Sequence, residues 1–448
     1  MTSSLLQRSQ LHHYQTEMVD RVKSIPSAGL FMEMGLGKTV TALTIIAEQF
    51  KGKTLVVAPL KIAENVWEQE IANWEHLQKL KLSKVLGTPS QRLVALKQSS
   101  DIYVVNLENL VWLLETGMKF NNLVIDESSK FKDPSTKRFK ALKKQLRMFD
   151  RKLILTGTPS PQSVGDLWSQ CGILDLGARL ETSLTKFRDK YMEPDGMNRH
   201  TRVVYSWKPK PQAVETIQSK ISDICFSLKA EDYLTMPACQ TISHQLDMTK
   251  KERHDYDSLK KEAVLELKDT TLTAASAATL SQLLCQFVSG ACYKAEEEGY
   301  TEVNDIKLQF LSEILDARDT PTIVFYHYRH SLDRLQKILP DAKTFSPENL
   351  AAWKAGEFPI LLLQPISSGI GLNGQNNSGK TANIIWFDNT FSAEVYAQAN
   401  ARVFRQGQTS PVIIHHLTIK DTIDQHVLNI LEGKLSLQEA LMDHLKLK

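Results

Sequence analysis

Cysteine is scarce in this chain, with five among 448 residues, no Cys-x-x-Cys pair and no neighbouring histidine pattern. That spacing excludes a disulfide framework and a clustered zinc site, and it fits a reducing compartment. No apolar run approaches the roughly 18 residues that a membrane span requires, and Met1–Gln10 lacks the apolar core of a signal peptide. The expectation is a soluble, cytoplasmic protein with no membrane partner. Charge of one sign is also missing, since 54 Lys and Arg against 51 Asp and Glu leave a net charge of +3. The field of the whole chain therefore announces no polyanionic partner, and any such partner needs a local basic surface. The stretch from Lys130 to Lys152 is rich in Lys and Arg with only Asp133 and Asp150 opposing them. On composition alone it reads as a solvated helix face.

Hydrophobic residues make up 42% and charged residues 23%, an ordinary globular balance. The length suits about two or three domains. A short apolar run followed by a polar, helix-like stretch recurs along the chain. Leu55–Pro59, Ile102–Asn106, Leu123–Asp126, Leu153–Thr156, Ile323–Tyr326, Ile360–Leu363, Ile384–Phe387 and Val412–Leu417 read as buried strands. Strands buried on both faces and separated by helices imply parallel α/β sheets. Ligands of such sheets sit at the carboxyl ends of the strands. One group of strands lies before about Pro159 and the other after about Thr320. Between them the pattern predicts helices over Lys251–Leu267 and Thr273–Val288, a turn over Trp207–Pro211 and an acidic loop starting at Glu296. Two α/β lobes with helical insertions between or projecting from them follow.

Gly35-Leu36-Gly37-Lys38-Thr39 stands between an apolar run and the helix-like Val40–Phe50. Glycines let backbone N–H groups curl around phosphate oxygens, and the following helix N-terminus adds its dipole. Lys38 would reach the β- and γ-phosphates of ATP, and Thr39 would offer its hydroxyl to Mg2+. The general pattern opens with one more glycine, where this chain has Met32. The strand-loop-helix context favours the phosphate-binding reading over a chance match.

Leu123–Glu127 is an apolar strand ending in two carboxylates. In phosphoryl transfer Asp126 would hold the metal and Glu127 would orient or deprotonate the attacking water. An Asp-Glu pair alone is often only a helix start; beside a phosphate loop it becomes specific. In the second half, Ser392–Arg405 reads as one helix with Ser392 as N-cap. Its spacing puts Gln398, Arg402 and Arg405 on one face. A planar guanidinium suits a γ-phosphate, and an arginine from a second lobe can stabilise the transition state. Two surface arginines on a solvated helix are the plain alternative.

Together these motifs resemble the superfamily-two helicases, and specifically their Swi/Snf-like branch, over nearly the whole chain. Leu11–Gln15 is similar to that family's adenine-reading motif, which implies that Gln15 contacts the base. Met32–Thr39 fits its phosphate loop, which also lacks the first glycine. Leu55–Pro59 resembles a nucleic-acid-contact motif and Leu155–Pro159 the motif that couples hydrolysis to lobe movement. Ser367–Asn373 resembles the second-lobe motif at the nucleic acid, and Gln398–Gln408 the last motif, which carries Arg402 and Arg405. The resemblance implies two RecA-like lobes. The first spans 1–232, with a protrusion after about 165; the second spans 233–448, with a protrusion at about 248–300. It also implies nucleic-acid or coupling roles for Pro59, Thr156, Gly157, Thr158, Ser367, Gly369, Gly371 and Gln398.

Two departures stand out. Asp126–Ser129 reads Asp-Glu-Ser-Ser where the family has Asp-Glu-Ala-His, so the histidine that links the acidic and coupling motifs is missing. Phe226–Lys229 stands where the family carries adjacent arginines. With no accessory domain read beyond the second lobe, the resemblance points to a compact bacterial or phage motor acting in the bacterial or host cytoplasm. The implied activity is ATP-dependent, Mg2+-requiring movement along double-stranded DNA, without sequence specificity, by a monomer. A strand-separating helicase and a nucleic-acid-binding scaffold with little ATP turnover are the rival readings. A metabolic kinase would not need a second lobe ending in paired arginines.

Overall fold

In a strand, successive side chains face opposite ways, so an unbroken apolar run can pack on two layers at once. Leu55 and Val57 join one apolar cluster while Val56 and Ala58 join another. Leu123, Ile125 and Ile154 follow the first; Val124, Leu153 and Leu155 follow the second. The computed structural model describes residues 5–157, 159, 163–197, 204–233, 238–268, 274–294, 298–316, 320–365, 382–404 and 410–432. The chain divides into two units, Met1–Thr235 and Met236–Lys448.

The strands of the first unit are β1 (Ser27–Met32), β2 (Thr54–Ala58), β3 (Leu82–Val85), β4 (Ile102–Asn106), β5 (Asn122–Asp126), β6 (Arg151–Thr156), β7 (Met192–Met197), β8 (Val204–Pro209) and β9 (Cys225–Leu228). Seven of them make a parallel sheet in the order β3-β4-β2-β5-β6-β1-β9. The other two, β7 and β8, pair as an antiparallel hairpin.

The second unit holds β10 (Cys239–Leu246), β11 (Ala291–Tyr293), β12 (Tyr300–Glu302), β13 (Thr322–Phe325), β14 (Lys343–Thr344), β15 (Ile360–Leu363), β16 (Ala382–Trp386) and β17 (Val412–Ile419). Its parallel sheet runs β10-β17-β16-β13-β15-β14. Alternation repeats here, with Ile323, Phe325, Ile384 and Trp386 in one cluster and Val324 and Ile385 in the other. Two parallel-sheet lobes of the expected class result, and all eight apolar runs are strands.

The stretch between the two strand groups is less helical than its sequence implies. Helices Lys250–Lys268 and Ala274–Val288 form as expected. The expected turn at Trp207–Pro211 is instead largely the end of β8, where the Trp207 ring lies 4.9 Å from the Arg188 guanidinium carbon. β9 is short and carries an exposed serine, yet it extends the main sheet by pairing with β1. β10 is mostly polar and solvent-facing, and it forms by pairing with β17 over eight residues. The acidic loop expected from Glu296 begins outside the described residues. The basic stretch is an amphipathic helix, Lys137–Gln145, with Phe139 and Leu142 buried and Lys137, Lys140, Lys143 and Lys144 exposed.

Ile154 sits in the sheet centre with no exposed surface. Ile154→Ala should cost about 3 kcal/mol of first-unit stability, read as a lower urea midpoint by circular dichroism.

Candidate functional site

The strand order β5-β6-β1 sets three carboxyl ends side by side. The segment after β1 carries the phosphate-loop sequence. Gly35 and Gly37 hold φ of 87° and 73°, the left-handed region that favours glycine. A Cβ on Gly37 would stand 2.3 Å from Gln15 Nε2 and would push that amide aside, and the left-handed backbone would strain any larger residue. Helix Lys38–Gln49 begins at once, and Thr39 is its second residue. Lys38 Nζ donates to the Met32 carbonyl at 2.9 Å and the Glu33 carbonyl at 3.4 Å. Met32, which replaces a glycine of the general pattern, is a buried strand residue contributing its backbone oxygen.

Gln15 is buried in helix His13–Val22. Its Nε2 donates to the Leu36 carbonyl at 3.0 Å, and its Oε1 accepts from the His12 N–H at 2.9 Å. The amide thus braces the phosphate loop, and it keeps a second N–H and a second lone pair for a ligand edge.

Asp126 closes β5 and is only 4% exposed. Its carboxyl is pushed up to about 7, first by burial and then by the neighbouring Glu127 charge. Lys38, the Trp67 N–H and a backbone N–H pull the other way. Trp67 Nε1 donates to Asp126 Oδ2 at 3.1 Å. A buried carboxylate that resists its charge and a threonine hydroxyl at the start of the helix after the phosphate loop are donor types that fit Mg2+. Asp126 and Thr39 are the residues that would hold it.

Glu127 has φ of 59°, a left-handed backbone rare outside glycine. Such strain gathers at functional sites. Its Oε2 accepts from Thr156 Oγ1 at 3.5 Å, across to the end of β6. The next residue, Gly157, packs on the phosphate loop. A Cβ there would lie 3.4 Å from the Met32 carbonyl and 3.5 Å from Lys38 Nζ. Lys38, Asp126, Glu127, Thr156 and Gly157 therefore converge, while Thr158 lies outside the described residues. Pro59 stands apart at the end of β2, its carbonyl accepting from Ala63 N–H at 2.9 Å.

The model of the SNF2-related domain matches residues 14–289. The chain belongs to the SNF2-related family. It is 31% identical to the putative protein p41 of Acyrthosiphon pisum secondary endosymbiont phage 1, over 97% of this chain and 98% of that one. It is 23% identical to the putative ATP-dependent helicase/translocase YwqA of Bacillus subtilis, over 92% of this chain but only 46% of the relative. A solved structure, the Sulfolobus solfataricus SWI2/SNF2 ATPase core in complex with dsDNA, aligns over 97% of this chain and 93% of that chain, at 21% identity and a TM-score of 0.44. Its relatives thus include a phage protein of matching length.

In the second unit the SNF2 core places helix Ala393–Asn400 after β16. Ser392 caps it, its Oγ accepting from Val395 N–H at 3.2 Å. The helix is shorter than the sequence implies. After Asn400 the chain tightens into three-residue turns, with Arg402 N–H donating to the Ala399 carbonyl and Val403 N–H to the Asn400 carbonyl. Trp386 Nε1 holds Asn400 Oδ1 at 3.0 Å, fixing the helix end. Arg402 thus lies in the turn that follows the helix, while the Gln398 amide, within it, donates to Glu394 at 3.1 Å. Arg405, Ser367, Gly369 and Gly371 lie outside the described residues.

Sequence reasoning missed Trp67. It lies 59 residues before its partner Asp126, in a helix entered through a π turn over Ile62–Val66. No local motif signals that pairing. Among the described residues no cluster of three or more His, Cys, Asp or Glu could hold a metal, and no helix is long and apolar enough to cross a membrane.

Asp126 generates a pH prediction. Its folded value, about 7, exceeds its ordinary 3.8, so the folded state holds a proton that the unfolded chain loses. Stability should fall as pH rises from about 4 through 7. Asp126→Asn removes that loss. In nucleotide-free, magnesium-free buffer its Tm should match the native chain near pH 4 and exceed it by several degrees at pH 8. A difference that does not change with pH would contradict the assignment.

Proposed function

We propose that this SNF2 core hydrolyses ATP with Mg2+ and uses the cycle to move along double-stranded DNA without separating its strands. The observation that carries the reading is the convergence of Lys38, the buried Asp126, the strained Glu127 and Gly157 on three adjacent strand ends. One lysine cation beside two carboxylates is the equipment for binding a phosphate-metal complex and activating water.

In this reading the residues from Gly35 to Thr39 cradle the phosphates, and Gln15 reads the adenine with its remaining amide positions. Lys38 exchanges its two backbone carbonyls for phosphate oxygens. When bound, Mg2+ supplies charge neutralisation at the β- and γ-phosphates, and Thr39 and Asp126 hold it. Glu127 takes a proton from the attacking water. Arg402 and Arg405 of the second unit supply positive charge to the γ-phosphate as the transition state forms.

Pro59, Thr156, Gly157 and Thr158 of the first unit, with Ser367, Gly369, Gly371 and Gln398 of the second, grip or couple to the sugar-phosphate backbone. Such contacts ignore sequence and weaken with salt. The proposed boundary between the two lobes falls at 232/233, and the motor acts as a monomer in the cytoplasm of a bacterial cell.

Phosphate release should be stimulated by duplex DNA more than by single-stranded DNA or RNA. Lys38→Ala should abolish that turnover; retained hydrolysis would remove the site assignment. Triplex displacement without unwinding of a forked duplex supports translocation, and the reverse result supports strand separation. Duplex binding with no ATP turnover would instead make the chain a scaffold. Arg405→Ala should leave ATP affinity nearly intact and cut turnover by about 10³-fold. Loss of ATP binding in that variant would mark a structural arginine.

A further inference from the structure

The acidic segment lacks the family's histidine, and Ser129 stands in its place. Ser129 is 2% exposed, and its hydroxyl has no hydrogen-bond partner among the described residues. Ser129 therefore provides no link between the acidic segment and the chain after β6. The neighbouring serine does.

Ser128 is fully buried, and its Oγ donates to Gln170 Oε1 at 2.8 Å. Gln170 is also fully buried, in helix Leu167–Asp175. Its Nε2 donates to the Pro159 carbonyl at 2.5 Å and the Asp166 carbonyl at 2.9 Å. The orientation of this amide follows from its partners. Turned over, its oxygen would face two carbonyls and neither contact could be a hydrogen bond. A second bond ties the same two regions together, as Ser169 Oγ donates to the Lys132 carbonyl at 2.8 Å.

We propose that Gln170 is a positioning residue that couples the Gly157–Pro159 segment to Glu127 through Ser128. Resting on the ATPase reading above, the proposal adds a coupling route. Pro159 lies two residues beyond Gly157, which packs on the phosphate loop, and Ser128 directly follows the strained Glu127. A displacement of the Pro159 peptide by nucleic acid moves the Gln170 amide, since both its ends are held. The amide in turn moves Ser128, and with it the Glu127 backbone and carboxylate. Ser128 and Gln170 are fully buried and Pro159 is half-buried, and because the three are hydrogen-bonded in series, breaking one bond leaves an unsatisfied polar atom. Displacing the three together is the easier path.

The test measures ATP turnover of the full chain with and without duplex DNA, for the native protein and for Gln170→Leu, Ser128→Ala and the double variant. Leucine keeps nearly the same volume and removes every hydrogen bond of the amide. We expect DNA-stimulated kcat to fall about tenfold in each single variant, with the KM for ATP changed by less than about twofold. The double variant should be no worse than Gln170→Leu, because both changes break one chain. Ser128→Ala removes a single oxygen, so it carries the test if Gln170→Leu does not fold.

Unaltered stimulation in Ser128→Ala, or an equal fall in stimulated and unstimulated turnover with a raised KM, would overturn the coupling role. Multiplying effects in the double variant would overturn it too. A native chain that hydrolyses no ATP at all overturns the ATPase reading and the link with it. A native chain that is stimulated beside variants that are equally stimulated overturns the link alone.

Discussion

The first unit is organised around a carboxylate that is costly to ionise where it stands. Asp126 lies at the end of a central strand, buried, with a second carboxylate attached to the next residue. Burial and like charge both favour its neutral form. The surroundings offset this only in part, through the Lys38 cation and the Trp67 N–H. A site that resists charge when empty accepts it readily beside a divalent cation. In the ATPase reading proposed above, stability given up in the free protein would reappear as affinity for the metal-bound nucleotide.

The phosphate loop makes a similar exchange. Lys38 spends its donors on two carbonyls of its own loop, and Gln15 holds a third. An ammonium bound to neutral carbonyls gains less than one bound to phosphate oxygens, so in the proposed reading ligand arrival would draw Lys38 across. Gln15 braces the loop through Leu36, and in the proposed reading its remaining amide positions would meet the base. A side chain at Gly37 would displace the amide that braces the loop, and the left-handed backbone there would strain any substitute. The left-handed backbone at Glu127 costs about 1–3 kcal/mol. It is sustained because the sheet fixes Asp126 on one side and a short helical turn from Ser128 fixes the other.

What could be read from sequence was whatever is encoded locally. Apolar runs buried on both faces announced eight strands, and the glycine pattern announced the loop, because both signals sit within a few residues. The acidic pair gained meaning only beside that loop, and strand order explains why, since β6 alone separates β5 from β1. Pairings across long separations stayed hidden. Trp67 meets Asp126 across 59 residues, and Gln170 meets Ser128 across 42. An indole or an amide on a helix carries no mark of its distant partner. β9 and β10 were hidden for a related reason. Their own residues are too short or too polar to specify a strand, and the sheet edge supplies the hydrogen bonds that make them one.

The second unit shows the same limit in its arginine-bearing segment. Helical spacing extrapolated through Arg405, but the helix stops at Asn400, where the Trp386 indole captures the side chain. Tyr396 of that helix meets His416 Nε2 at 3.0 Å, and His416 Nδ1 meets Asn389 at 2.9 Å. Burial pushes His416 down to about 4, so it stays neutral and relays bonds in both directions at ordinary pH. Asn389 continues to Asp424, which pairs with Lys307 at 2.8 Å, both nearly free of solvent contact. An ion pair that deep adds little net stability, because desolvation cancels most of its attraction. What it gives is one allowed geometry. Through Asn389, His416 and Tyr396, that geometry reaches the helix whose end sets where Arg402 begins. The helix that precedes this arginine is thus held both by the Trp386 indole at its end and by a buried polar chain that reaches Lys307.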